Sequence, residues 1–391
     1  MMPIHHEGTE QVINLPKSAY TSEEWFKQEQ ATLFEKNWQF TGFIEDIPES
    51  GDFITVQAGR YSLIVLKGPD GQLRAFHNIC RHRGTRLLRP CGTAGKAITC
   101  PYHDWSYSLE GDLIAVPQQK TEFPDLDKKS LGLHKAQVCI WLGMIWVHPL
   151  PDAEPIEQWL QGVDNYIGPH RPEELVEYPE GATDHEINAN WKLVVENYID
   201  GYHLAHLHSA TLNMYDHQKQ ETGFIGPHFT FYEPLQADYA KNLKDKSPLP
   251  AIDHFTDDQP LGAYVPMLFP NLGITATEDS WSIFHIIPLA SNRTRVITRT
   301  RIKAVSDWTY LWQSSKSYSQ QQTGGGKYKE GIGSDDPMMS GDFMAEDIYV
   351  CEQQQKSLES PLFSVGATAK HQEKSIRDFQ NIILQQMNAS G

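Results

Sequence analysis

Along the chain the spacing of apolar residues changes character several times, and each change marks the boundary of an expected element. Residues 21 to 38 keep a helical rhythm: Phe26, Leu33, Phe34 and Trp38 can share one face, and Thr21 with Glu24 supplies a capping box. From about Gly51 to Val147 the rhythm shortens to β-prone runs, Phe53 to Val56, Ser62 to Leu66 and Val138 to Val147, parted by Gly- or Pro-containing turns. This stretch predicts a small all-β unit. After Pro149-Leu150-Pro151 the patterns mix, with a helix over Trp191 to His203 and strands over Leu272 to Thr277, Ser280 to Ile287 and Thr294 to Ile302. Such a mixture predicts an α+β unit built on an antiparallel sheet. Gln320 to Pro337, rich in Gln, Gly, Lys and Asp, predicts a surface loop. Two helices close the chain, Asp342 to Leu358 and Glu373 to Met387, the latter with Ile376, Phe379, Ile383 and Met387 on one face.

Composition narrows the function classes. A chain of 391 residues exceeds one ordinary core and suggests two domains, and 39% hydrophobic and 11% aromatic residues are ample to bury both. The formal net charge of -17 argues against nucleic acid, whose phosphates need clustered Lys and Arg. Arg81, Arg83, Arg86 and Arg89 form the one local cationic group singled out. Met1 to Pro16 has no apolar run behind a basic segment, and no later stretch is long enough for a membrane span, so a cytoplasmic protein is expected. The five cysteines, Cys80, Cys91, Cys100, Cys139 and Cys351, are odd in number and scattered, unlike a disulfide framework.

Two of those cysteines belong to a motif. Cys80-Arg81-His82 is followed, after 17 residues, by Cys100-Pro101-Tyr102-His103, as two short loops each presenting a thiolate and an imidazole to one centre would require. Two Cys on one iron and two His on the other make a Rieske 2Fe-2S cluster; a tetrahedral Cys2His2 zinc site uses the same ligands. Asn78-Ile79-Cys80-Arg81-His82-Arg83-Gly84 and Cys100-Pro101-Tyr102-His103-Asp104-Trp105-Ser106-Tyr107 resemble the Rieske loops of ring-hydroxylating oxygenase α subunits. Thr85 and Tyr102 stand where the Rieske proteins of respiratory complexes usually carry extra cysteines. The resemblance is therefore to the oxygenase branch.

A second constellation lies in Asn190 to His208, where Asp200 precedes His203 by three residues and His208 follows by five. On a helix Asp200 and His203 would share a face. Two histidines and a carboxylate on one face of Fe(II) leave positions open for O2, and by spacing alone His206 competes with His208. The resemblance extends to this Asp-x2-His-x4-His stretch and implies His203 and His208 as ligands, with Asp347 of Glu346-Asp347 as the third. Asp342, Glu346 and Glu352 are expected on a solvated helix face. The family relation gives Asp200 a different role, bridging His203 to the cluster ligand His103 of a neighbouring subunit, which implies a homotrimer.

Taken together, the resemblance implies an all-β Rieske domain (41–155) set into an α+β catalytic domain (156–391) with a helix-flanked antiparallel sheet of the helix-grip, START-like kind. Residues 1–40 would form a helical segment on the catalytic domain. The implied activity is a terminal oxygenase that uses O2 to hydroxylate a small organic substrate, an aromatic ring or aromatic acid. The alternatives are oxidative N-demethylation or hydroxylation of a betaine-like quaternary ammonium and, outside enzymes, a Rieske electron carrier. No Gly-x-Gly-x2-Gly fingerprint is present, so NAD(P)H and flavin belong on a partner reductase, with or without a ferredoxin. Trp281, Phe284, Phe229, Phe231, Tyr264 and Phe269 are candidates for an apolar pocket or a cation-π cage.

Overall fold

The computed structural model describes residues 15–208, 212–247, 249–256, 260–312, 336–340, 342–364 and 366–388. Nearly all of the loop expected at Gln320 to Pro337 lies outside the described residues. The chain divides into two compact units: Gln28–Trp159, and Met1–Lys27 together with Leu160–Gly391.

The Gln28–Trp159 unit is built on strands β1 (Gln39–Phe43), β2 (Asp52–Ala58), β3 (Tyr61–Lys67), β4 (Leu73–His77), β5 (Cys91–Thr93), β6 (Ile98–Thr99), β7 (Ser106–Tyr107), β8 (Leu113–Ala115), β9 (Lys135–Trp141) and β10 (Met144–His148). Seven of them make an antiparallel sheet in the order β1-β10-β9-β4-β3-β2-β5, and β6-β7-β8 make a smaller one. In β3 the alternation of side chains feeds two cores. Leu63 and Val65 enter one with Ala58, Ala75 and Ile145, while Ile64 and Leu66 enter another with Phe76, Ile98, Tyr107, Leu113, Cys80 and Cys100. The run expected over Val138 to Val147 is a hairpin, because Leu142 (φ 51°) and Gly143 (φ 71°) both take the left-handed conformation that turns β9 into β10. Residues 28–38 belong to this unit, where Glu35 receives Arg60 through Nε at 2.5 Å and Nη2 at 2.8 Å.

The helix expected over 21–38 is broken. It forms as Ser18–Thr21, Glu23–Glu29 and a π turn Gln30–Phe34. The hydroxyl of Thr21 donates back to Lys17 O (3.2 Å), and Ser22 Oγ accepts from Trp25 N–H (3.3 Å), so the cap is Ser22.

The other unit carries β11 (Val176–Ile187), β12 (Glu221–Ile225), β13 (His228–Pro234), β14 (Gly262–Tyr264), β15 (Met267–Leu268), β16 (Leu272–Ala276), β17 (Ser280–Ala290) and β18 (Arg293–Ile302). They form an antiparallel sheet in the order β11-β18-β17-β16-β14-β13-β12, with β15 paired to β13 and β16. Helices Trp191–Ile199, Phe343–Glu359 and Lys374–Asn388 complete the α+β architecture. Tyr198 seats the first of them: its hydroxyl donates to Ile274 O (2.8 Å), and a Cβ on Gly273 would come within 2.5 Å of its ring, so only glycine fits there. Among the described residues no helix is long and apolar enough to cross a membrane.

Candidate metal centres

In the Gln28–Trp159 unit the two Cys/His loops share one backbone design. Cys80 N–H donates to Thr85 O (2.8 Å) and Gly84 N–H to Cys80 O (3.0 Å); Cys100 N–H donates to Trp105 O (2.9 Å) and Asp104 N–H to Cys100 O (3.1 Å). Each loop closes through a left-handed residue, Gly84 (φ 76°) or Asp104 (φ 56°). Buried Asn78 ties off the first loop, its Oδ1 accepting from Leu87 N–H (2.8 Å) and Leu88 N–H (3.0 Å). The rings of His82 and His103 lie 4.7 Å apart, and His82 stacks on Trp105 at 4.7 Å and 8°. Both cysteines are buried. Tyr107 takes Arg81 N–H on its hydroxyl (3.0 Å), which sits 3.3 Å from Cys80 Sγ.

These residues fit a cluster. His82 Nδ1 is buried with no hydrogen-bond partner among the described residues, as a nitrogen reserved for metal would be. Burial, with the neighbouring His103 charge, holds the His82 pKa below the usual histidine value and favours the neutral, ligating imidazole. Of the four arginines, Arg81 is turned inward to Gly132 O (2.5 Å), Arg83 lies over the Tyr102 ring (5.4 Å), and Arg86 and Arg89 are exposed.

In the other unit the Trp191–Ile199 helix begins at buried Asn190, whose Oδ1 accepts from Lys192 N–H (3.0 Å) and whose Nδ2 donates to Ser291 O (2.6 Å). It ends sooner than the expected His203. Asp200 is extended (φ -83°, ψ 112°), and its Oδ1 captures Tyr202 N–H (2.7 Å), a local turn that competes with the helix. The same turn still brings Asp200 Oδ2 to His203 Nδ1 (3.2 Å), so the pair meets without a shared helix face. His208 follows the short helix Leu204–Leu207. His206 is exposed and stacks edge-on with Tyr202 (5.4 Å).

The Phe343–Glu359 helix, capped by Asp342 through Met344 N–H (2.9 Å), brings two carboxylates to these histidines. Asp347 Oδ1 lies 3.0 Å from His208 Nε2, 3.7 Å from His203 Nε2, and accepts from Asn197 Nδ2 (3.1 Å). The ligand atoms of His203, His208 and Asp347 all lie within 4.8 Å of one another, a donor set that suits Fe(II). Glu346 departs from its expected solvated face: it is 4% exposed and its Oε2 lies 2.8 Å from His208 Nδ1. Nothing in the local sequence marks this contact, because its partners are 138 residues apart. Glu352 also has a partner, accepting from Asn188 N–H (3.0 Å) and Nδ2 (2.9 Å). Burial alone would lower the His208 pKa, but the hydrogen bonds and charges of Asp347 and Glu346 outweigh it and raise the pKa.

The aromatic candidates divide by register. Gly273 pairs with Phe284 and Ala276 with Trp281, so Phe284 faces Tyr198 and the helix while Trp281 points to the opposite face. Tyr264 pairs with Ala276 and shares the Trp281 side. Phe229, paired with Met267 opposite Gly273, shares the Phe284 side.

Comparison with known proteins agrees with both centres. Residues 37–135 match the family described as Rieske 2Fe-2S domain, and residues 175–389 match that described as ring hydroxylating alpha subunit (catalytic domain). The chain is 28% identical to the glycine betaine monooxygenase oxygenase subunit of Chromohalobacter salexigens, over 73% of this chain and 70% of that one. It is 31% identical to the anthranilate 1,2-dioxygenase large subunit of Acinetobacter baylyi, over 54% of this chain and 45% of that one. A quaternary ammonium Rieske monooxygenase in complex with L-carnitine superposes with a TM-score of 0.71 at 21% identity, covering 95% of both chains. Naphthalene 1,2-dioxygenase from a Rhodococcus species superposes at 0.72 and 20% identity, over 96% of this chain and 95% of that one.

Proposed function

Because the chain belongs to the ring-hydroxylating oxygenase α-subunit family, we propose that it is a terminal oxygenase acting on a small betaine-like quaternary ammonium compound. The observation that carries the catalytic part is the convergence of His203, His208 and Asp347 on one point. They would hold the mononuclear iron, and Cys80, Cys100, His82 and His103 the 2Fe-2S cluster. When bound, the cluster supplies single electrons and the iron supplies O2 activation.

The remaining roles belong to this chain's own side chains. Asp200 and Glu346 each hold the Nδ1 proton of one histidine, which leaves both Nε2 atoms directed at Asp347. Asn197 fixes the Asp347 carboxylate from the side. In a homotrimer, Asp200 would also reach the partner subunit's His103 and couple the two centres. Asp200→Asn should then keep both metals and slow electron transfer between them. Electrons would come from NAD(P)H through a separate reductase, docked in part on exposed Arg83, Arg86 and Arg89. The protein would work in the cytoplasm.

Of the two substrate classes expected, the quaternary ammonium class is favoured by relatives that match along most of both chains. Hydroxylation of an aromatic acid is the second reading, supported by the anthranilate relative. Oxidative demethylation of glycine betaine consumes O2, two electrons and two protons and yields dimethylglycine, formaldehyde and water. Formaldehyde with glycine betaine would support the first reading; consumption of anthranilate without formaldehyde would support the second. Iron and acid-labile sulfide, with the EPR spectrum of reduced protein, test the centres in wild type beside His203→Ala. We expect about three irons and two sulfides per chain, one iron lost in the variant, and a Rieske signal in both. Two irons in both proteins would leave an electron carrier, and zinc without sulfide would refute the cluster.

A further inference from the structure

Nine residues after His208, the short turn His217–Lys219 presents a histidine that no role above employs. Its Nδ1 lies 2.7 Å from Glu233 Oε1, and the Glu233 side chain is only 4% exposed. A carboxylate can only accept here, so Nδ1 carries a proton. The other ring nitrogen, Nε2, is buried and has no hydrogen-bond partner among the described residues.

The pairing register places this dyad relative to the candidate iron ligands. Side chains alternate along β13, so Glu233 lies on the same face as Phe231 and Phe229. Phe229 pairs with Met267, Met267 with Gly273, and Gly273 with Phe284, and cross-strand partners share a face. Tyr198 packs on that face, one residue beyond Asn197, which holds Asp347. Glu233 and His217 therefore lie on the sheet face covered by the helix that leads into His203 and His208. The charge of His208 is itself felt at His217, opposing protonation.

The hydrogen bond to Glu233 raises the His217 pKa; burial opposes it, and the charges of Glu233 and Asp216 add to it. With Nδ1 bonded to Glu233, the imidazolium form that this pair favours would present Nε2 as a buried N–H donor that faces no acceptor among the described residues. A buried donor of this kind is costly unless a ligand or water meets it. A quaternary ammonium head has neither an N–H nor a lone pair and cannot be that partner; a carboxylate can, through a charge-assisted bond.

We propose that His217, held in place by Glu233, binds the carboxylate of the substrate. The inference rests on the oxygenase reading above and sharpens its substrate class: a compound with an oxidisable group at the iron and a carboxylate some distance from it. Glycine betaine and anthranilate both qualify. Choline and aniline, the carboxylate-free counterparts, do not.

The test is calorimetric binding of these four compounds to anaerobic holoenzyme, wild type beside His217→Gln, with the cluster spectrum and iron content as checks that both centres stand. The expected result is that wild type prefers a carboxylated probe to its counterpart, and that the variant loses about tenfold or more of that preference while binding of choline and aniline is unchanged. Equal binding of the carboxylated probes by wild type and variant, or no preference in wild type, overturns the anchor. Should His217→Gln lose iron or cluster, Glu233→Gln is read by the same criterion: a weakened preference supports the anchor and an unchanged one overturns it. Anthranilate binding that depends on His217, with no binding of glycine betaine, would retain the anchor and refute the betaine reading. Glycine betaine bound equally by wild type and both variants would do the reverse.

Discussion

Each histidine of the converging trio carries a carboxylate on the nitrogen turned away from Asp347: Asp200 on His203 and Glu346 on His208. One of these partnerships was legible in the chain and the other was not. Asp200 stands three residues from His203, a spacing that places them together on a helix or, as found, around a turn closed by Tyr202 N–H. Glu346 reads like any acidic residue in the first turn of a helix, and only tertiary packing brings it to His208. A buried carboxylate on a ligand's far nitrogen fixes the tautomer and makes the metal-facing nitrogen a better donor. Glu346→Gln should therefore loosen the hold on the mononuclear iron by about 10- to 100-fold while leaving the cluster spectrum intact. Competition with a chelator, followed by iron analysis, reads this directly; unchanged retention would restrict Glu346 to packing.

Among the elements, strands were the easiest to foresee, because the short β-prone runs of β2, β3, β16, β17 and β18 are visible without knowing their partners. Their ends were set by chemistry that periodicity does not report. Ser22, not Thr21, caps the first long helix, and the left-handed pair Leu142-Gly143 splits one apparent strand into two. The Trp191–Ile199 helix contains a further feature that its pattern hides. Half-buried Glu196 accepts from Tyr20 Oη (2.6 Å) and Gln380 Nε2 (2.9 Å), and Lys192 Nζ sits 5.2 Å over the Tyr20 and Trp191 rings. Burial lifts its pKa from 4.5 to about 7 against those hydrogen bonds and the Lys192 charge. The folded chain thus keeps a proton that the unfolded chain releases. This contribution to stability is complete below about pH 4.5 and is lost as pH rises through about 7, with a slope approaching about 1.4 kcal/mol per pH unit. Glu196→Gln should flatten that slope in denaturant titrations between about pH 5 and about pH 7; an unaltered slope would assign the pH dependence to other groups.

For the molecule as a whole, the α+β class and the antiparallel sheets followed from pattern, and the Cys/His pairs from residue type and spacing, because metal ligation restricts side chains more than packing does; spacing left His206 and His208 open, and the choice of His208 and Asp347 came from the family resemblance. The sheet face that adjoins the proposed iron ligands could not be read this way. It depends on register, which separates Trp281 and Tyr264 from Phe284 and Phe229. Assembly is tested by mixing two inactive chains. A Cys80→Ser chain co-expressed with an Asp347→Ala chain should regain turnover in the mixed oligomer, because an intact cluster on one subunit would serve an intact iron site on the next. Failure to regain it, with mixed oligomers shown to form, would remove the bridge through Asp200.

The order of the two compact units along the chain also bears on synthesis. Gln28–Trp159 is complete before most of the other unit exists, and that other unit cannot close until Gln380 reaches Tyr20, across 360 positions. Domains emerging from the ribosome tend to fold as units, N-terminal ones first. At common elongation rates the interval between Trp159 and Asp347 lasts roughly ten to forty seconds. The unit that would store electrons thus has time to fold on the ribosome, while the unit that would turn oxygen into an oxidant receives its last proposed ligand only once Asp347 has been made, a timing that keeps a reactive iron from forming ahead of the cluster unit.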